Sequence, residues 1–351
     1  MIKKSVNVKN VKIGGGAPIS IQSMCSVPFS RLDELKKQAI ELQSAGCDIL
    51  RVAVPDMESV RSFSKLKEAL KIPLVADIHF DYKLALESIE AGADKIRINP
   101  GNIGSEHIKA VAHAAKNKNI PIRVGINSGS LEKEILTKHQ APTSRALAES
   151  AFKNVDILTS CDFDDIVVSI KASDVRTMVE SYRIFDAEER YPYPLHLGVT
   201  EAGTLHTGLI KSSVGIGSLL LDGIGDTVRI SLTADPIEEI KAAKTLLRAL
   251  GLRKSGIEVI SCPTCGRSTV DTIRLAEYIE KEFSYIIKPI KIAVMGCVVN
   301  GPGEAREADL GVTGANGEYI VFKNNKVIHR VSEENIIKVI KNELDKIENE
   351  Y

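Results

Sequence analysis

Pro73-Leu74-Val75-Ala76-Asp77-Ile78-His79 is an apolar run interrupted at its end by two polar residues. Residues 82–90 follow with apolar side chains at helical spacing, and Ala91-Gly92 supplies a helix stop. Lys95-Ile96-Arg97-Ile98-Asn99 then opens a second run of the first kind. This is one strand–helix unit, and the chain repeats it. Strand-like runs fall at 19–24, 48–54, 73–79, 95–99, 122–127, 165–171, 195–200 and 227–232, with helical patterns such as 32–44, 59–70, 82–90 and 105–117 between them. Eight such units in about 250 residues are the pattern of a TIM (β/α)8 barrel. A doubly wound sheet is the alternative, but it has fewer strands and a glycine-rich nucleotide turn between its first strand and helix. Gly14-Gly15-Gly16 precedes its strand and opens no helix, so it reads as a hairpin turn instead.

The repeat breaks near Gly251-Leu252-Arg253-Lys254-Ser255-Gly256, after a helical pattern over 236–250. The reading is a barrel over 1–253 and a small α+β module over 254–351. The module is expected to hold strands at 257–260 and 290–295, a helix at 270–282, hairpin strands at 310–311, 319–322 and 327–329, and a last helix at 333–348.

Lys+Arg and Asp+Glu balance at 46 each, and Trp is absent, so neither a basic surface nor a base-stacking platform points to nucleic acid. No apolar stretch reaches the length of a membrane span, and the start Met1-Ile2-Lys3-Lys4-Ser5 is not a signal peptide. Six cysteines without an export signal suit a reducing, cytoplasmic setting in which thiols serve metal or redox work.

In a barrel of this type the chemistry lies at the C-terminal ends of the strands. Here those ends carry Arg51, Asp77, His79, Arg97, Asn99, Arg123, Asn127, Lys171, His196, Glu201, Arg229 and Ser231. Any one of them could be a snorkelling cation or a satisfied core histidine. Four arginines and a lysine within apolar runs are different, because an unpaired buried charge is costly and needs a shared anion. A diphosphate substrate in the barrel mouth answers that need. Asp77, His79 and Glu201 are then the candidates for proton transfer or for orienting the cations.

The module carries Cys262-Pro263-Thr264-Cys265-Gly266-Arg267 and Gly296-Cys297-Val298-Val299-Asn300-Gly301-Pro302-Gly303-Glu304. A structural zinc site would want a second C-x-x-C or a His pair, and Asn300 stands where a fourth cysteine would fall. Three thiolates with one weaker oxygen ligand suit an iron–sulfur cluster with one labile iron better than a closed zinc ribbon, which stays as the alternative. Cys47 reads as a small core residue and Cys161 as a loop or helix-end thiol. Cys25, after the first barrel strand, has core packing as its default with a contact to ligand as the second option.

These cysteine motifs, with Ile21-Gln22-Ser23-Met24, Ala76-Asp77-Ile78-His79-Phe80, Ile96-Arg97-Ile98-Asn99-Pro100-Gly101-Asn102, Leu197-Gly198-Val199-Thr200-Glu201-Ala202-Gly203 and Gly223-Ile224-Gly225-Asp226-Thr227-Val228-Arg229, resemble the 4-hydroxy-3-methylbut-2-enyl diphosphate synthase family in its short, bacterial two-domain form. The resemblance runs along essentially the whole chain. It implies a [4Fe-4S] cluster on Cys262, Cys265, Cys297 and Glu304. It also implies a cyclic diphosphate bound by Arg51, Arg97, Arg123, Lys171, Arg229, Ser231 and Asn127, and an acid/base role for Glu201. The implied reaction is the reductive ring opening of 2-C-methyl-D-erythritol 2,4-cyclodiphosphate in isoprenoid precursor synthesis, with ferredoxin or flavodoxin as the electron donor. Cys25-Ser26 stands where the family pattern has Thr-Asn.

The module follows the last barrel helix and so is attached at the face opposite the barrel mouth; the family resolves this as a head-to-tail homodimer, and the same is expected here. Two rivals are a barrel enzyme of pterin or phosphosugar chemistry with a zinc-stabilised tail, and a non-catalytic iron–sulfur carrier. The ring of strand-end charges, for which a carrier has no use, counts against the second.

Overall fold

A computed structural model describes residues 3–299, 303, 307–324 and 326–350. The chain divides into two compact units, Met1–Arg253 and Lys254–Tyr351.

The first unit opens on an antiparallel hairpin, β1 (Ser5–Val8) and β2 (Val11–Gly14). The hairpin turn lies at Lys9-Asn10, where Lys9 has φ 53°, and not at the glycines where the sequence placed it. Gly14, Gly15 and Gly16 all have positive φ and make the corner that feeds the first barrel strand, a backbone path open to glycine at little steric cost. Val6, Val8 and Ile13 of the hairpin pack on Ile49, Val75 and Val167, which closes the bottom of the barrel with apolar surface.

Eight parallel strands follow: β3 (Ser20–Met24), β4 (Ile49–Ala53), β5 (Leu74–Asp77), β6 (Lys95–Ile98), β7 (Ile122–Asn127), β8 (Ile166–Lys171), β9 (His196–Leu197) and β10 (Thr227–Val228). Neighbouring pairs run from β8 back to β3, then through β10 to β9; a parallel bridge between Val168 and Leu195 closes the ring. The expected (β/α)8 barrel is thus present. β9 and β10 are shorter than the runs 195–200 and 227–232; after β9 the chain leaves the ladder at Gly198 and turns through Glu201 (φ 52°) and Gly203 (φ 112°).

Residues alternate along each strand. One set, including Leu50, Ala76, Ile96, Val124 and Val168, packs in the core under the helices. The other set points inward, and above the apolar floor it is polar where barrels usually stack branched apolar side chains.

The second unit is a five-stranded sheet in the order β11 (Ile257–Ser261), β12 (Ile290–Met295), β13 (Leu310–Ala315), β14 (Glu318–Lys323), β15 (Lys326–Val331). The first three are parallel and the last two antiparallel. Asn316-Gly317, both at positive φ, form the tight turn between β13 and β14. Leu275 and Ile279 from the helix Thr272–Glu282, with Ile336, Ile340 and Leu344 from the helix Glu333–Glu350, cover one face of the sheet. No helix among the described residues is long and apolar enough to cross a membrane.

Candidate functional site

The inward face of the barrel gathers six cationic side chains, Arg51, Lys95, Arg97, Arg123, Lys171 and Arg229, around two buried carboxylates, Asp77 and Glu239. Strand register explains the grouping. Arg51 lies level with Val75, Asp77 with Arg97, and Arg97 with Arg123, so consecutive strands deliver their charged residue at neighbouring heights.

Asp77 Oδ1 accepts from Arg97 Nη1 at 3.3 Å, and its Oδ2 stands 3.8 Å from Arg51 Nε. Arg51 also donates through Nε and Nη2 to Met24 Sδ at 3.2 and 3.0 Å. The Asn127 amide is assigned with its oxygen toward Arg97 Nη2, at 2.9 Å, and its nitrogen toward the Ile126 carbonyl. Gly125 gives that guanidinium its room: a Cβ there would lie 2.4 Å from Arg97 Nε. Across the mouth, Glu239 accepts from Arg229 Nη2 at 3.3 Å and from Ser23 Oγ at 3.1 Å. Among the described residues Lys95 reaches only Gln22 Oε1, at a long 3.4 Å.

Two carboxylates do not balance six cations. Arg123 is 1% exposed, and among the described residues its Nε and Nη1 meet no partner; Arg97 Nε, Arg229 Nε and both ring nitrogens of His196 are likewise buried and unpaired there. Buried donors in this number are rare unless a ligand answers them. Burial, and then the neighbouring arginines, push Arg123 and Lys171 well below their ordinary values. Burial followed by Arg123 does the same to Lys95, and burial followed by Arg123, Lys171 and Lys95 does it to His196. Burial pushes Asp77 up, but Arg51, Arg97 and Arg123 outweigh it and hold the carboxyl at about 2. The arrangement is a preformed receptor for a multiply charged anion.

In the second unit, β11 and β12 are parallel with Ser261 level with Val294, so the residues that follow each strand emerge on one edge. Cys262 follows β11 and Cys297 follows β12 by two residues. Gly296 N donates to Cys262 Sγ at 3.2 Å, and Thr269 N donates to Gly296 O at 3.0 Å. The two loops abut so closely that a Cβ on Gly296 would meet Ser268 Oγ at 2.4 Å. Cys262, Cys265 and Cys297 are free thiols with at least part of their surface open. Among the described residues no three His, Cys, Asp or Glu side chains converge to hold a single metal ion. Glu304, the expected fourth ligand, lies outside the described residues.

Residues 3–244 match the GcpE TIM-barrel domain, and residues 258–346 match the GcpE protein C-terminal domain. The chain belongs to the GcpE family.

GcpE-family relatives similar to it include a protein of Clostridium perfringens, 56% identical over 95% of this chain and 95% of its own length. Another, from Caldanaerobacter subterraneus, is 52% identical over 99% of this chain and 97% of its own. Both are named 4-hydroxy-3-methylbut-2-en-1-yl diphosphate synthase (flavodoxin). The structure is also similar to dihydropteroate synthase from Stenotrophomonas maltophilia, at TM-score 0.51 and 12% identity over 71% of this chain and 99% of that one. At that identity the likeness speaks for the barrel alone.

Within the GcpE barrel the structure brings Arg51, Asp77, Arg97, Asn99, Arg123 and Lys171 together as buried groups, with Asn127, Arg229 and Ser231 partly open beside them. His196 lies deeper, level with Thr227 and two residues below Arg229. His79 and Glu201 are exposed on the loops that follow β5 and β9. Burial and the guanidiniums lower His79, against Asp77. Cys25 is buried, and burial pushes its thiol up to about 12, which disfavours the thiolate.

Three participants were not singled out from the sequence. Lys95 shares a strand face with Arg97 and Asn99, and that period-two pattern was its available signal. Gln22 shares a face with Met24 in the same way. Glu239 had no signal, because in the sequence it is one of two acidic residues in the first turn of the helix Pro236–Ala249, an ordinary place for a carboxylate.

Proposed function

We propose that this chain is a 4-hydroxy-3-methylbut-2-enyl diphosphate synthase, an oxidoreductase that opens 2-C-methyl-D-erythritol 2,4-cyclodiphosphate reductively. The observation that carries the reading is the ring of six cations whose buried donors find too few acceptors within the barrel. A cyclic diphosphate places several negative oxygens at the centre of that ring. The names of the relatives give the same product, 4-hydroxy-3-methylbut-2-en-1-yl diphosphate, together with flavodoxin, which supports this reading.

The reaction takes up two electrons and one proton. The ring C–O bond to phosphate breaks, and the neighbouring hydroxyl leaves as water. Arg51, Arg97, Arg123, Lys171 and Arg229, with Ser231 and Asn127, hold the diphosphate and take up the charge that develops on the released phosphate oxygen. Asp77, ionised at neutral pH, orients Arg51 and Arg97 and donates no proton. Glu201 delivers the proton to the departing hydroxyl, and His79, on the loop after β5 four strands away round the barrel, is the second candidate for that role. Cys262, Cys265, Cys297 and Glu304 would hold a [4Fe-4S] cluster, which would supply one-electron chemistry there.

The last barrel helix ends at Ala249. Helices of a (β/α)8 barrel run opposite to their strands, so the chain leaves the barrel on the face away from the strand ends. We infer a head-to-tail homodimer in which the cluster domain of one chain serves the barrel of its partner. Dilution to monomer should then abolish turnover and leave the cluster intact, and turnover by a verified monomer would overturn the dimer.

The test of the reaction is anaerobic turnover with reduced flavodoxin, product identified by mass, beside the EPR spectrum of the reduced protein with and without the cyclodiphosphate. Formation of the allylic diphosphate and a substrate-sensitive cluster signal are expected. An unchanged signal with no product would remove the proposed function, and zinc without acid-labile sulfide would remove the cluster.

A further inference from the structure

The turn after β6 and the loop after β7 are tied together by a hydrogen-bonded group that lies behind the cation ring. Asn154, fully buried on the helix Ser144–Ser160, accepts from Gly101 N through Oδ1 at 2.6 Å. Its Nδ2 donates to Glu132 Oε1 at 2.7 Å and to the Ser150 carbonyl at 2.8 Å. Ser150 Oγ donates to the other oxygen of Glu132 at 2.7 Å. Glu132 thus has both carboxylate oxygens occupied, although it sits on the loop that leaves β7. The same Gly101 N also donates to Asn99 Oδ1 at 3.2 Å.

Asn99 is the last residue before that turn and is itself buried. With its oxygen engaged by Gly101, what it has left for a ligand is an NH2 donor, and among the described residues that nitrogen meets no acceptor. Gly101 is the tight point. A Cβ there would stand 2.7 Å from Glu132 Oε1, so the turn and the carboxylate meet with no space for a side chain.

We propose that Asn154 and Glu132 are positioning residues for the diphosphate site, clamping the β6 turn to the β7 loop so that Asn99 presents its NH2 to a phosphoryl oxygen. Neither touches the ligand; both act through Asn99. The inference rests on the proposed function and adds to it the group that fixes one edge of the receptor. An interaction with the retained diphosphate exists in bound substrate and transition state alike, so its loss is felt in binding.

The test is calorimetric binding of the cyclodiphosphate to the cluster-loaded protein, with steady-state kinetics, for wild type, Asn99→Ala, Asn154→Ala and the double variant. Asn154→Ala should raise Kd and KM by about tenfold while kcat stays within about twofold. The double variant should bind no worse than Asn99→Ala, because two residues in one chain of action are not additive. Glu132→Gln, which keeps an acceptor for Asn154, should lose less than Asn154→Ala. If Asn154→Ala does not fold, Gly101→Ala carries the test, since it pushes Glu132 away from the other side; the same rise in KM is expected. An unchanged KM in the folded variant, or a double variant whose loss is the product of the two single losses, would overturn the clamp. A wild-type protein that binds no cyclodiphosphate would overturn the proposed function and the clamp with it.

Discussion

Arg97 Nη1 stands 3.3 Å from Asp77 Oδ1, both groups nearly sealed from solvent, and Arg51 approaches the other oxygen of the same carboxylate. One anion therefore orients two of the cations that would otherwise repel each other across the barrel mouth. Breaking a buried pair is costly because the surviving charge is left unpaired. Asp77→Asn should destabilise the free protein by about 2 kcal/mol at neutral pH, as read from urea unfolding. The sign with pH follows from a carboxyl held at about 2 against an ordinary 3.8. Its contribution is complete above pH 4 and is lost as pH falls through about 2, so the gap between wild type and variant should be flat above pH 4 and narrow below it. A gap that widens on acidification would contradict the pairing.

Arg123 makes the opposite prediction for stability. It is as buried as Asp77, yet among the described residues its Nε and Nη1 meet no acceptor. Arg123→Met exchanges an uncompensated charge for an apolar side chain of similar reach. It should raise stability by about 1–3 kcal/mol while weakening cyclodiphosphate binding by about 10–100-fold. Denaturant midpoints and calorimetry on the same preparation decide it. A variant both less stable and fully able to bind would mean that Arg123 serves the fold and not the ligand.

Binding should also move protons. Burial and mutual repulsion lower Lys95, Lys171 and His196 in the free protein, and an anion at the centre of the ring opposes that shift by favouring their charged forms. The cations and the bound diphosphate therefore take up protons together, and affinity should weaken as pH rises. Calorimetric enthalpies measured at one pH in two buffers of different ionisation enthalpy should differ, in the sense of uptake. Equal enthalpies would show that the ring is fully charged before substrate arrives.

The contrast between Arg123 and Glu239 shows how far this site was legible in sequence. Arg123, Arg97 and Arg51 announce themselves because each interrupts an apolar strand, and an apolar strand is readable from its neighbours alone. The same alternation that makes eight strands visible puts those arginines on one inner face. Glu239 sits in a first helical turn, where a carboxylate is ordinary, and only the packing of that helix beside β3 carries it to Ser23 and Arg229. Asn154 and Glu132 were hidden for the same reason: their partners lie far away in sequence and their positions are unremarkable on a helix and a loop. The hairpin turn was misplaced because three successive glycines outweighed Lys9-Asn10 in the reading, although Asn is itself a turn former.

Glu201 differs from the other described participants in its backbone. It adopts φ 52°, a left-handed conformation that a side chain with a Cβ holds only at some expense, and Gly203 follows at φ 112°. The loop is tied at its far end, where Thr233 N donates to Gly203 O at 2.9 Å, so the carboxylate is carried on a strained but anchored turn. Local strain of this kind is tolerated where it aims a side chain. Glu201→Gln keeps the shape and the reach but cannot give a proton. It should lower kcat by about 10²–10⁴-fold with cyclodiphosphate affinity within a few-fold of wild type. Glu201→Gly should be equally inactive while unfolding at the same or higher denaturant concentration, because glycine relieves the backbone. Turnover by Glu201→Gln near the wild-type rate would remove Glu201 from proton delivery and pass the role to His79 or to water held at the rim.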